Sequence, residues 1–114
     1  MPFTYDYGGG TDSANTQSVT IASGVATVAA LTPVILLIGE GANSDTLDTL
    51  TVANVQAGDT TILISDGSDT ITVDDANIDL AAATRAIAVG GSLGLRYDGT
   101  QWVELYFTAA ADNT

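Results

Sequence analysis

Apolar and polar residues alternate with a period of two along most of this chain, and glycine, aspartate and asparagine break the alternation at roughly 8–12-residue intervals. The clearest instance is residues 91–108, GSLGLRYDGTQWVELYFT. Leu93, Leu95 and Tyr97 share one face of the first run, and Val103, Leu105 and Phe107 share one face of the second. Between them stands Asp98-Gly99, a strong hairpin signal. Side-chain direction reverses at each strand residue, so only a loop with an odd number of residues brings the two sets together. A three- or five-residue loop is expected, and a three-residue one would set Arg96 beside Trp102 within cation–π reach. The hairpin carries the only tryptophan, and Trp102, Leu95 and Leu105 are its expected core anchors.

Upstream, the same pattern predicts strands over 18–22 and 25–29, joined as a hairpin by Ser23-Gly24, and over 34–39 after Thr32-Pro33. Proline suits a strand start, where its missing N–H is tolerated. Leu47, Thr49 and Thr51 alternate with Asp48, Leu50 and Val52. Ala57-Gly58-Asp59 turns into a strand over 60–65, with Ile62 and Ile64 on one face, and Asp66 to Asp69 turns into another over 70–73. Short strands rich in Val, Ile, Leu and Thr with regular turns predict an all-β fold: an antiparallel β-sandwich, jelly-roll-like, or a compact β-barrel. Residues 77–88, NIDLAAATRAIA, read equally well as one short helix capped by Asp79 or as a crossing loop of small residues. The expected organisation is an extended N-terminal arm over 1–17, a β-domain over 18–108 and a C-terminal tail over 109–114.

The arm, MPFTYDYGGGTDSANTQ, has aromatics at alternate positions, Phe3, Tyr5 and Tyr7, ahead of three glycines. It reads either as a terminus folded onto its own domain or as a segment that docks on a partner, since aromatics carry interface energy. Nothing in the first residues has the basic and apolar stretches of a secretory signal. The apolar run at 34–38 is too short to span a bilayer. The expected location is a cytoplasm, or a particle assembled there.

Charge narrows the functional classes. Fourteen acids against two basic residues, Arg85 and Arg96, give a formal net charge of −12. Such a surface repels nucleic-acid phosphates and anionic membranes, so neither is an expected partner. The chain has no His or Cys, which excludes disulfides and the usual transition-metal ligand sets and leaves no cofactor to expect. Without His, Lys or Cys, acid–base or nucleophilic catalysis would rest on a carboxylate pair. The acids sit in turns, where they are solvated, so no catalytic residues are expected. Asp75, Asn77 and Asp79 copy the start of a calcium-binding EF-hand loop. Leu80 and Ala86 then stand where its glycine and bidentate glutamate belong. An irregular oxygen site among Asp66, Asp69, Asp74 and Asp75 is the alternative to plain turn chemistry. Arg85 and Arg96 are expected either to pair with acids or to lie at a trimer interface.

The motif G-x-L-x-L-x-Y-D-G-x-x-W-x-E over residues 91–104 resembles the terminal hairpin of small β-structured modules in tailed-phage virions, found at tail-fibre tips and as stand-alone virion proteins. DTLTV at 48–52, GDTTILI at 58–64 and DTITV at 69–73 are similar to the upstream rhythm of those modules. The resemblance implies a β-fold used as a homotrimer, structural or adhesive and not catalytic. A short acidic domain with a glycine-hinged aromatic arm further resembles head decoration, or cement, proteins. That would make the major capsid protein the partner, the capsid surface the location and Phe3, Tyr5 and Tyr7 the contact residues. Two other expectations stand beside it. One is an adhesive tail- or head-fibre tip that binds a host glycan or protein, with Tyr97 in contact. The other is a non-viral interaction domain whose acidity is an adaptation to salt.

Overall fold

Each alternating stretch becomes a strand, but most turns between them bend the chain round a corner instead of folding it back. A computed structural model describes residues 15–41, 44–65 and 69–109. These form β1 (Thr16–Thr20), β2 (Val25–Val28), β3 (Val34–Ile38), β4 (Ser44–Leu47), β5 (Thr49–Val52), β6 (Thr60–Ser65), β7 (Thr70–Asp74), β8 (Ile78–Asp79), β9 (Thr84–Ile87), β10 (Ser92–Tyr97) and β11 (Trp102–Thr108). No helix occurs among the described residues: 77–88 is β8, a bend and β9. β1 takes in Thr16 and Gln17, at the end of the expected arm.

The strands make three sheets, ordered β1-β3-β6-β10-β11-β8, β2-β5 and β4-β7-β9. β1 and β3, β3 and β6, β2 and β5, and β4 and β7 all pair in parallel. The chain therefore visits the sheets in rotation, through β3, β4 and β5 and then β6 and β7. It next returns beside β5, where the Asn77 Oδ1 accepts the Leu50 N–H at 3.3 Å. Ladder partners lie 28 positions apart between β3 and β6 (Val34 against Ile62), 26 between β4 and β7 (Ser44 against Thr70) and 24 between β2 and β5 (Val25 against Thr49). This is the winding of a β-solenoid, in which each coil lies on the one before.

The expected antiparallel sandwich or barrel is corrected on this point. Parallel neighbours need a long crossover, and here that crossover is the rest of a coil. The Ser23-Gly24 turn shows the difference. Both residues have positive φ, 52° and 82°, as a tight hairpin turn requires. Only one bridge, Ala22 to Val25, follows, and β1 and β2 then part into different sheets. Asp48 is a second corner. It breaks the expected alternation so that Leu47, Leu50 and Val52 all turn inward.

After β8 the winding reverses. β9 runs antiparallel to β7, β10 antiparallel to β6 and β11 antiparallel to β10. This closing layer covers the ladder edges of the last coil, as capping repeats do in solenoids. All three sheets feed one core. Ile35, Leu63 and Leu93 enter from the largest, Ile71 and Ile87 from the third, and Leu50 and Val28 from the smallest, each at most 2 % exposed.

The closing hairpin departs from its expected register. Tyr97 pairs with Trp102, so the loop holds residues 98–101, an even number. The Asp98 carboxylate accepts the Thr100 and Gln101 N–H groups at 2.8 and 2.9 Å and rigidifies it. A bulge compensates: Gly94 faces Tyr106 while Leu95 faces Glu104, which leaves Leu105 as the extra residue. Trp102 and Leu95 are buried, at 1 % and 0 % exposure, but Leu105 is 54 % exposed and is not a core anchor. Arg96 lies opposite Val103 rather than beside Trp102. Tyr97 takes that place, edge-on to the indole with ring centroids 5.2 Å apart.

Candidate functional site

The residues singled out from the sequence fall in different places. Phe3, Tyr5 and Tyr7 lie outside the described residues, as does Asp66. Arg85 makes an ion pair within the chain. Its Nη2 and Nε donate to the Glu104 Oε2 and Oε1 at 2.9 and 3.0 Å, and the guanidinium lies 4.8 Å from the Phe107 ring centroid. Glu104 Oε1 also accepts the Ala81 N–H at 3.1 Å. The Arg85 guanidinium, and then the Ala81 N–H, hold the Glu104 carboxyl below the usual carboxylate range against the effect of its burial. This cluster ties β9, the 81–83 bend and β11 together. Arg96 is exposed on the outward face of β10.

The acids considered for calcium are dispersed. Asp69 is buried and its Oδ2 accepts the Gly39 N–H at 2.9 Å, where a Cβ on residue 39 would stand 2.7 Å from that oxygen. Asn77 satisfies the backbone of β5. Asp74 stacks on Asp48 at the corner where β4 and β7 end. The hydrogen bond that the Asp74 carboxyl donates to Asp48, followed by burial and the nearby like charge, pushes the Asp74 carboxyl up. Among the described residues no group of three or more His, Cys, Asp or Glu side chains stands close enough to hold a metal ion.

A different feature emerges on the outside of the largest sheet. In β3 and β6 the inward positions are Ile35, Leu37, Thr61, Leu63 and Ser65. The outward positions are also apolar: Val34, Leu36 and Ile38 on β3, Ile62 and Ile64 on β6. Cross-strand partners join them into one patch, Val34 beside Ile62 and Leu36 beside Ile64. The patch continues over Gly94, which pairs with both Ile62 and Tyr106. A Cβ at residue 94 would collide with the Tyr106 ring, so only glycine lets that ring lie across β10. Between Pro33, Ile62, Gly94, Leu105 and Tyr106 runs an open groove of about 250 Å³, lined mostly by carbon. Leu105 and Tyr106, 54 % and 42 % exposed, stand at its side.

The patch was legible in part. VILLI at 34–38 is an unbroken apolar run, the mark of a strand with two apolar faces, whereas Ile62 and Ile64 share one face of their strand without any signal of which way that face points. No family model, curated protein or solved structure matches this chain. Chemically, the arrangement can bind another apolar surface.

Proposed function

We propose that this chain is a non-enzymatic structural protein of a tailed-phage virion, a head decoration protein that assembles as a homotrimer and clamps neighbouring major capsid subunits. The observation that carries an assembly role is the outward apolar face of the largest sheet on a chain of net charge −12. An outward face this apolar departs from the polar outer side that a half-solvated sheet usually has. The resemblance of residues 91–104 to virion modules supports the location. In this reading the segment bearing Phe3, Tyr5 and Tyr7 contacts the capsid lattice, and repetition of weak clamps over that lattice supplies avidity. The adhesive-tip alternative takes aromatics such as Tyr97 as contacts; Tyr97 is half-buried and packs edge-on to Trp102.

The test is the copy number of the protein per purified virion, by quantitative mass spectrometry against the major capsid protein. Hundreds of copies are expected. A handful would indicate a fibre tip instead, and none would end the virion reading.

A further inference from the structure

We infer that the outward face of the largest sheet, centred on Leu36, Ile62 and Ile64, is the seam through which copies of this chain join one another. The inference deepens the assembly reading above and rests on it. Charge selects the occupant. On β1, β3, β6, β10 and β11 no outward position carries a carboxylate, because Glu104, the only acid in these strands, turns inward to Arg85. The charges on the sheet's outward face are confined to one end, where Arg96 on β10 and the exposed Asp79 on the edge strand β8 both pair with Val103. The acids stand instead at corners and turns, among them Glu40, Asp48, Asp59, Asp74 and Asp98.

Two chains of net charge −12 repel each other in most orientations. They approach without juxtaposing carboxylates only through a surface that has none, and the part of this face on β3, β6 and β10, away from Asp79 at the β8 edge, is such a surface. A cationic partner would be drawn to the acidic corners instead. A second copy presents the same apolar patch, with Leu105 and Tyr106 beside a groove that receives apolar side chains.

Size sets the strength. Four strands at about 4.8 Å spacing and five residues at about 3.3 Å rise give a footprint of roughly 300 Å². That matches the largest apolar patch usual on a monomer and falls short of the ~800 Å² per partner of a standard interface. The face is therefore the centre of a seam whose rim is polar, and assembly depends on concentration.

The experiment is sedimentation equilibrium of the full chain over a dilution series, with far-ultraviolet circular dichroism and Trp102 fluorescence reporting the fold. Wild type should exceed the 11.5 kDa of one chain and dissociate on dilution. Leu36→Asp with Ile64→Asp sets carboxylates side by side on β3 and β6, and should give a folded monomer at every concentration. If that pair disturbs folding, Leu36→Thr with Ile64→Thr keeps strand propensity and should raise the half-assembly concentration at least tenfold. Thr51→Asp adds a charge on the exposed side of β5 and should assemble like wild type. An assembled wild type whose Asp and Thr variants also assemble would overturn the seam while leaving the assembly reading intact. A wild type that stays monomeric would overturn the seam and the homotrimer, leaving the face to residues 1–14 or another protein. Copy number per virion would still test the location separately.

Discussion

Leu105 and Leu95 sit in one hairpin and differ completely in what surrounds them. Leu95 is fully buried, so Leu95→Ala should cost about 2–5 kcal/mol in urea unfolding, the usual range for a core leucine. Leu105 is the bulge residue, so Leu105→Ala should stay within about 0.5 kcal/mol. Equal losses would mean that the bulge is misplaced. Gly94 offers a sharper case, because its hydrogen lies under the Tyr106 ring. Gly94→Ala should cost about 1–3 kcal/mol by overpacking. Most of that should vanish against a Tyr106→Ala background, a coupling that a double-mutant cycle reads directly. The sequence marked Trp102 and Leu95 as core residues because large apolar side chains in an alternating strand go inward. It marked Leu105 as well, and wrongly, because the bulge puts one extra residue in the ladder there and the alternation alone does not reveal it.

Elements are joined by two pairs of ionisable groups with opposite pH behaviour. Glu104 is held below its ordinary value of 4.5 by Arg85. Its contribution is present above that ordinary value and is lost as pH falls through the lower folded one. Arg85→Met should therefore lower the unfolding midpoint at neutral pH, and the difference from wild type should close in acid. Asp74 is raised above 3.8 by its stacking on Asp48. Its contribution is present below 3.8 and is lost as pH rises through the folded value. Asp74→Asn, which retains a hydrogen-bond donor, should be more stable than wild type at pH 7 and indistinguishable from it below about pH 3.8. Thermal melts across this range check both variants. Neither pair could be read from spacing: Arg85 and Glu104 are 19 positions apart, and Asp48 meets Asp74 only because coils stack.

At the scale of the molecule, an acidic solenoid opposes both its own compact state and its assembly through long-range repulsion. Raising salt from about 10 mM to about 1 M shortens the screening length from ~30 Å to ~3 Å. Both the melting temperature and the fraction assembled should rise, most steeply at the low end. A seam built from ion pairs would weaken over the same range, so light scattering during a salt titration distinguishes the two.

The sequence by itself determined the all-β class, most strand positions and their corners. Those follow from period-two patterning and from glycine and aspartate at turns, which act within a few residues. It determined the acidity and the absence of the side chains most enzymes use. Only the tertiary structure decided that the strands wind in parallel. A turn that closes a hairpin and a corner that leads to the next sheet use the same local chemistry, as Ser23-Gly24 shows. The repeat is also hidden: DTLTV at 48–52 and DTITV at 69–73 look alike but fall on different sheets, β5 and β7. The β2-β5, β3-β6 and β4-β7 ladders instead pair segments 24–28 positions apart. The outward apolar face is the clearest case. Ile62 and Ile64 are as apolar as a core pair, and which side of β6 looks into the molecule depends on where the coils close around Leu63.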